Sequence, residues 1–212
     1  MKTKVFITTA ILVLGSVFAK AQTDDHKNYI WSFEGKKKTH TIGTYVALSG
    51  SYSPIESSSA YWYGGRIGLV IDKRWTIGIG GNVLNYDKHL DEIVSDGTYR
   101  LQAAYAGMFI EHIVPFNNWG KLSVSWLSGT GNAFFEYDKD YQESRPWYQE
   151  IIDTEKLVAN DLGVEFQVRV IGNWWLGAHA NYRLTNPVKL MGEDEYFLRN
   201  YSAGVSVKWG IF

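Results

Sequence analysis

Apolar and polar positions alternate strictly through residues 200–212, the last segment of the chain. With a period of two, one face of this segment is apolar and the other is small or polar, which predicts a β-strand. The apolar face consists of Tyr201, Ala203, Val205, Val207, Trp209 and Ile211, and the chain ends on Phe212. A terminal strand with one apolar face and an aromatic end is typical of the strand that closes a transmembrane β-barrel, which leaves no unpaired backbone edge in lipid.

Seven earlier segments repeat this alternation, at residues 41–52, 60–71, 75–85, 99–114, 121–137, 157–171 and 174–185. Each reaches the roughly 9–11 residues that a tilted strand needs to cross a bilayer. With the closing segment they make an even number of strands, as transmembrane barrels of this kind have. The pattern therefore predicts an all-β protein, an eight-stranded antiparallel up-and-down transmembrane β-barrel.

Two segments have features of their own. In segment 99–114 the bulkier positions, Leu101, Tyr105 and Phe109, are assigned to the outward face, with Arg100 on the inward face. In segment 121–137 the alternation is lost around residues 129–131, the sequence Gly-Thr-Gly, which predicts a β-bulge there.

The connections between these segments alternate in length. Residues 72–74, 117–120 and 172–173 form tight connections rich in Asp, Asn and Gly, which tolerate the positive φ angles of hairpin turns. The remaining connections, 53–59, 86–98, 138–156 and 186–199, are longer and polar. Short turns on the periplasmic side and longer loops outside are expected of an outer-membrane barrel. A soluble lipocalin-like barrel or β-sandwich has no reason to alternate in this way.

Charged residues within the segments lie opposite the apolar face. A lysine or arginine facing lipid at the bilayer midplane would cost about 2–4 kcal/mol, so these charges are predicted to point into the lumen and to pair there. We expect a network of ionic contacts, with Glu165 as its central acid, formed by Arg66, Arg100, Glu165, Arg169, Arg183 and Lys208. A barrel of eight strands is just wide enough for side chains to fill it, so no open pore is predicted.

The aromatic residues are 16% of the chain, a high share that fits the aromatic girdles of a membrane barrel. The residues expected to face lipid or to form the girdles are Trp75, Tyr105, Trp126, Phe166, Tyr182 and Trp209.

The first 21 residues have the pattern of a secretory signal peptide. Lys2 and Lys4 precede an apolar run at 5–18, and the small-x-small triplet 19–21 predicts cleavage near Ala21 and Gln22. The apolar run is too short for a membrane-spanning helix. We therefore expect a signal peptide at 1–21, a periplasmic lead-in segment at 22–40 and the barrel at 41–212, exported to the outer membrane of a Gram-negative cell envelope. The lead-in contains an aromatic patch at residues 29–33. This patch fits an anchor at the membrane interface, a plug of the barrel mouth or part of a flexible linker.

Composition limits the partners. Removal of the signal peptide takes away three of the 21 basic residues and none of the 22 acidic ones, which leaves a net charge of −4. This charge argues against nucleic acid as a partner. The chain has no cysteine, so the fold relies on no disulfide bond and no cysteine carries a lipid anchor.

The sequence gives only weak support for a catalytic or metal-binding site. His179 lacks a nearby serine, and His112 follows Glu111; both fit polar side chains with structural partners better than a catalytic base. The acidic stretches at 138–143, 153–155 and 193–195 fit either a divalent-cation site or solvated loops, and none has EF-hand spacing. The glycines at 78–81 lack the setting of a phosphate-binding loop. We therefore predict no cofactor, no metal site and no enzymatic activity.

The repeated apolar-x-apolar strands, the hairpin GVEFQVRVIGNWWLGAHANYRL at 163–184 and the final Phe212 resemble those of small eight-stranded outer-membrane proteins of the OmpA type. The resemblance covers residues 41–212 and concerns architecture. It implies that the barrel-assembly machinery inserts the chain after reading its last strand, with Trp209, Ile211 and Phe212 as the assembly signal. Phe212 departs from the usual signature because it is out of phase with Trp209 and Ile211.

Three functions fit this sequence. The first is a structural or surface-interaction protein of the outer membrane, in contact with its lipid and with an unidentified protein partner at the loops. The second is a passage for small, apolar molecules, and the third is a lipid-modifying enzyme. The charged lumen favours the first function over the second, and the missing Ser/His pair weakens the third.

Overall fold

A computed structural model of the chain describes residues 31–35, 38–55, 58–89, 99–116, 119–137, 151–190 and 193–211. Nine antiparallel strands are present in these residues. They are β1 (Trp31–Gly35), β2 (Lys38–Ile55), β3 (Ser58–Ile71), β4 (Trp75–His89), β5 (Tyr99–Pro115), β6 (Gly120–Tyr137), β7 (Ile151–Ile171), β8 (Trp174–Thr185) and β9 (Tyr201–Ile211). No helix in the described part of the chain is long and apolar enough to span a membrane.

Strands β2 to β9 form a closed ring. Each strand pairs with the next one along the chain, and β2 also pairs with β9, from Thr44 opposite Ile211 to Tyr52 opposite Ala203. This closure leaves the ring without a free edge over the paired length. The prediction of an eight-stranded antiparallel up-and-down barrel is confirmed.

The tight connections predicted between β3 and β4, β5 and β6, and β7 and β8 all lie at one end of the barrel, which we call the turn end; the opposite end is the loop end. The longer connection predicted at 53–59, at the loop end, is wrong, because β2 and β3 remain paired as far as Ile55 opposite Ser58. At the turn end, β3 and β4 are joined by a two-residue turn in which Asp72 and Lys73 have φ angles of 52° and 58°. The N–H of Arg74 donates to the carbonyl of Ile71 at 3.1 Å, which closes the type I′ turn that suits a twisted hairpin. A carboxylate oxygen of Asp72 accepts a bond of 3.0 Å from the N–H of Thr41.

The barrel wall differs in height around the ring. Strands β5, β6 and β7 have 17, 18 and 21 residues, whereas β8 and β9 have 12 and 11. About 9–11 residues suffice to cross a bilayer, so β5, β6 and β7 are each much longer than a crossing requires. The register between β6 and β7 shifts between Ala133 and Phe135, opposite Asp153, which has a φ of 51°.

The bulge predicted at residues 129–131 is wrong. Pairing of β6 with β5 is continuous there, from Gly107 opposite Gly129 to Tyr105 opposite Gly131. A Cβ atom built on Gly131 would run into the carbonyl oxygen of Ala104 on the neighbouring strand. These glycines therefore allow close approach of the two strands within a regular ladder.

Strand β1 extends the closing seam at the turn end. Trp31 pairs with Ile42 of β2, and Ile42 pairs with Ile71 of β3 on its other side. Strand β1 therefore lies on the side of β2 that β9 occupies from Thr44 onward. Residues 31–33 of the aromatic patch are thus part of a strand, whereas residues 29 and 30 lie outside the described residues. Strand β2 begins at Lys38, inside the segment expected to precede the barrel.

The outward face of strand β5 was predicted with the wrong phase. Leu101, Tyr105 and Phe109 are buried in the lumen, whereas Met108, 67% exposed, points outward. Glu111 lies on the same face as Tyr105, and burying its charge in the lumen sets the orientation of the whole strand, since side chains alternate with a period of two. Arg100, which supported the opposite phase, has a side chain outside the described residues.

Candidate functional site

The lumen is the candidate site, because it gathers most of the buried polar residues of the described chain. It contains two ionic clusters, separated by a small polar cavity, and an apolar section at the loop end. All of them are built from inward positions of strands β2 to β9, whose alternation places every second side chain inside.

The Lys208 cluster joins Lys208 to two acids. The Nζ atom of Lys208 lies 2.7 Å from Oε2 of Glu165 and 2.9 Å from Oε1 of Glu111. Tyr45 donates its hydroxyl to Glu111 at 2.6 Å, and Ser206 donates to Glu165. These bonds satisfy buried charges that would otherwise be strongly destabilising. One lysine between two carboxylates leaves the three ionised groups with a net negative charge.

Gln167 links the two acids of this cluster. Its side-chain amide nitrogen lies 3.3 Å from Oε1 of Glu111, 3.3 Å from Oε2 of Glu165 and 3.1 Å from the hydroxyl of Ser123. The Lys208 cluster therefore ties together β2, β5, β6, β7 and β9 across the barrel.

The Arg183 cluster lies nearer the loop end. Arg183 donates from Nε to Oδ1 of Asp161 at 3.0 Å, and Tyr105 donates its hydroxyl to the same carboxylate. Asn82 donates from Nδ2 to Oδ2 of Asp161 at 3.1 Å. The guanidinium carbon of Arg183 lies 3.7 Å from the centre of the Trp62 ring, a cation–π contact in a site shielded from water.

A cavity of about 30 Å³ lies between the two clusters. Its lining is mostly polar and includes Arg66, Ser125, His179 and Asn181. Arg66 donates to the hydroxyl of Ser125 at 3.2 Å. A polar space of this size accommodates a water molecule or two, but no organic substrate.

At the loop end the lumen is apolar. The buried side chains there include Ile55, Leu84, Tyr86, Leu101, Phe135 and Leu157. The last connection folds onto them with Val188, Leu190, Phe197 and Leu198, which are buried in the same cluster. Side chains of the wall and of this connection thus fill the loop end of the lumen.

The predicted lumen residues divide into three groups, of which one is Arg100 alone, whose side chain lies outside the described residues. Arg66, Glu165, Arg183 and Lys208 have their side chains in the lumen, although Arg183 pairs with Asp161 rather than with Glu165. The placement of Arg169 was wrong, because its side chain is exposed and donates to the carbonyl of Gly172 at 2.6 Å. A register shift between Arg169 and Ile171 accompanies this position beside the turn.

Sequence reasoning missed two lumen acids. Asp161 and Glu111 are both buried, and each pairs with a lumen cation. Asp161 lies four residues before Glu165 in the same strand, so its side chain is on the same face. This shared face was the signal that could have assigned Asp161 to the lumen. Glu111 lies near the turn end of β5, and it entered the sequence-based interpretation only as the residue that precedes His112.

The predicted lipid-facing residues are outward with one exception. Trp75, Trp126 and Phe166 are exposed on the outer wall, and Tyr182 and Trp209 are half-buried at outward positions. Tyr105 was placed on this face wrongly: it is only 3% exposed and is bonded within the Arg183 cluster.

The exposed aromatic residues form two belts, which match the two girdles of a membrane barrel. The belt at the turn end contains Trp75, Phe116, Trp119, Phe166 and Trp174, and the belt at the loop end contains Tyr52, Tyr61, Tyr63 and Tyr201.

Other candidate residues have ordinary surroundings. The ring of His112 packs on Trp75 with centroids 4.4 Å apart, and His179 lines the lumen cavity. The assembly residues Trp209 and Ile211 lie in β9, whereas Phe212 and the acidic stretch 138–143 fall outside the described residues. No group of three potential metal ligands occurs within the described part of the chain.

Comparison with known proteins shows the fold. No protein-family model and no curated protein matches the sequence. Neisserial surface protein A (NspA) matches with a TM-score of 0.51 and 10% identity, over 82% of this chain and 100% of that one. Ail, the attachment invasion locus protein of Yersinia pestis, matches with a TM-score of 0.44 and 10% identity, over 80% of this chain and 95% of that one. The closed ring of eight antiparallel strands and the likeness to NspA show that the chain has the fold of the small eight-stranded outer-membrane β-barrels.

Proposed function

We propose that this protein is an integral outer-membrane barrel with a structural or surface-interaction role, and that it does not conduct solutes. The observation that supports this most directly is the filled lumen, in which the two ionic clusters and the apolar section follow one another along the barrel axis. A solute would have to separate buried ion pairs, each of which is strongly destabilising to break.

The wall at the loop end supports the surface role. Strands β5 to β7 are far longer than a bilayer requires and project into the aqueous phase. They carry a platform of paired strands beyond the headgroups, which a partner can contact. The polar, side-chain-filled lumen then stabilises the wall that carries this platform.

Planar-bilayer recording tests the absence of conduction. The purified protein, reconstituted at known density, is expected to leave the membrane current at background, while a channel-forming barrel inserted in parallel serves as the positive control. Discrete, reproducible conductance steps from the folded protein would overturn the proposal in favour of a passage function.

Cysteine labelling tests the orientation of the projecting wall. The chain has no native cysteine, so single substitutions are uniquely labelled. On intact cells a membrane-impermeant maleimide is expected to label Thr154→Cys in the wall but not Lys73→Cys at the turn end. Labelling of Lys73→Cys alone would mean that the wall faces the periplasm, which removes the surface role.

A further inference from the structure

A concave apolar groove lies on the outer wall near the loop end, on the side of the barrel formed by the short strands β8 and β9. It has a volume of about 630 Å³ and is lined by Leu162, Val164, Ala180, Tyr182, Tyr201 and Ala203, together with Tyr52 of β2. Proteins rarely expose such apolar concavities to water, and this one belongs to the face that carries the aromatic belts.

The register of four strands explains the shape of the groove. Ala180 pairs with Ala203, and these two small side chains form the floor. Val164 pairs with Ala180 on one side, and Tyr52 pairs with Ala203 on the other, so larger side chains form both walls. The floor therefore lies below the surrounding surface because alanines face each other there.

Tyrosines close the groove towards the loop end. Tyr182 pairs with Tyr201, and their rings lie 4.6 Å apart. Tyrosine prefers the boundary between hydrocarbon and headgroups, so this end of the groove lies at the outer membrane interface. The rest of the groove lies at hydrocarbon depth, where a void that is left unfilled loses dispersion contacts.

Arg199 lies on the loop-end side of this tyrosine pair, since it bonds to Thr185, which follows Tyr182 in the chain. Arg199 is two residues before Tyr201, is exposed, and donates from Nε to the carbonyl of Thr185 at 2.7 Å. Its guanidinium also packs over the ring of Tyr196 at 3.9 Å, which holds the side chain in place. Within the described part of the chain its terminal nitrogens make no hydrogen bond. An anchored guanidinium of this kind suits bidentate contact with a phosphate.

We propose that the groove binds one acyl chain of an outer-leaflet lipid and that Arg199 binds the phosphate of the same lipid. The acyl chain fills the space over Ala180 and Ala203, in continuity with the lipid-facing wall. The phosphate lies beyond the Tyr182–Tyr201 pair, at the level where headgroups begin.

A second groove on the same barrel provides a matched control. It has nearly the same volume, about 620 Å³, and is lined by outward residues that include Leu48, Ile67, Ala106 and Met108. The cation among its lining residues, Arg66, directs its guanidinium inward to Ser125. This groove therefore offers an acyl chain a similar space without a phosphate contact.

Native mass spectrometry of the detergent-purified protein, titrated with dioleoyl phosphatidic acid or dioleoyl phosphatidylcholine, tests the proposal. The wild-type protein is expected to retain one phosphatidic acid molecule more tightly than phosphatidylcholine. Ala203→Leu, which fills the floor, is expected to remove this binding, and Ala180→Leu gives an independent filling variant. Ala106→Leu in the second groove is expected to leave it unchanged. The groove assignment would be overturned if Ala106→Leu and Ala203→Leu lost phosphatidic acid binding equally. It would also be overturned if neither Ala203→Leu nor Ala180→Leu lost that binding.

Substitution of Arg199 tests the proposed headgroup contact independently of the acyl-chain contact. Arg199→Gln is expected to weaken phosphatidic acid binding by about tenfold, as for loss of one charge-assisted hydrogen bond, and phosphatidylcholine binding by less, because the choline cation lies beside the phosphate of that lipid. Binding of dioleoylglycerol, which has the same acyl chains and no phosphate, should be unchanged. Arg199→Lys keeps the charge and should retain the preference for phosphatidic acid in part. If Arg199→Gln leaves phosphatidic acid binding unchanged, or weakens dioleoylglycerol binding to the same extent, the phosphate contact is rejected.

Discussion

Lys208 in the closing strand lies 2.7 Å from Glu165 of β7, and both side chains are buried in the lumen. Lys208 also lies 2.9 Å from Glu111, so one cation holds two acids that would otherwise repel each other. Strand β9 thus makes an ionic contact with two strands that precede it in the chain, and closure of the ring brings the cation of Lys208 to two buried acids.

Substitution of Lys208 should reduce the free energy of unfolding more than substitution of Glu165. Lys208→Met leaves two buried carboxylates without their cation and is expected to reduce the free energy of unfolding by about 3–5 kcal/mol. Glu165→Gln leaves the Lys208–Glu111 pair intact, so a smaller loss of about 1–3 kcal/mol is expected. Urea unfolding in lipid vesicles, followed by the heat-modifiable gel shift, measures both. A larger loss for Glu165→Gln than for Lys208→Met would contradict the shared role of Lys208.

Tyr105 should contribute to stability through its hydroxyl. Tyr105→Phe removes the bond to Asp161 while keeping the ring, and is expected to reduce the free energy of unfolding by about 1–3 kcal/mol. Tyr201→Phe, at an outward position that is 71% exposed, is the matched control and should change it by less than about 0.5 kcal/mol. Equal effects of the two substitutions would mean that β5 has the opposite phase.

The lipid-facing side of β5 can be tested with a charge. Met108→Arg places a guanidinium on the outward face and is expected to destabilise the barrel by about 2–4 kcal/mol in a bilayer, because the charge enters hydrocarbon. Thr154→Arg, in the part of β7 that projects beyond the bilayer, should be close to neutral. The same urea titration reads out both variants, and a neutral Met108→Arg would remove Met108 from the lipid-facing wall.

The turn between β3 and β4 should tolerate glycine at its second position. Lys73 has a φ of 58°, which strains a residue with a Cβ atom, so Lys73→Gly is expected to stabilise the barrel by about 0.5–1 kcal/mol. Arg74, which is not among the residues with positive φ, provides the control: Arg74→Gly should be neutral or destabilising. Stabilisation by both variants would show that the effect is not specific to the backbone conformation of Lys73.

The number of strands, their order and the tight connections at the turn end could be predicted because they depend on local patterns. Alternation with a period of two is a property of each strand alone, and Asp, Asn and Gly at the turns act within a few residues. The phase of β5 was the exception, since both of its faces carry apolar or small residues. Its orientation depends on Glu111 meeting Lys208, a partner 97 residues away.

The sequence by itself determined that the chain folds as a barrel and that most of its charged strand residues point inward, because alternation and the energetic penalty of a charge in lipid act at every strand. Only the tertiary structure decided which charges meet. Arg183 pairs with Asp161 and Lys208 with two acids, because closure of the ring sets the stagger of the strands around the axis. The lipid-facing groove has the same origin: Ala180 and Ala203 are unremarkable in sequence, and they form a concavity only because register places them side by side.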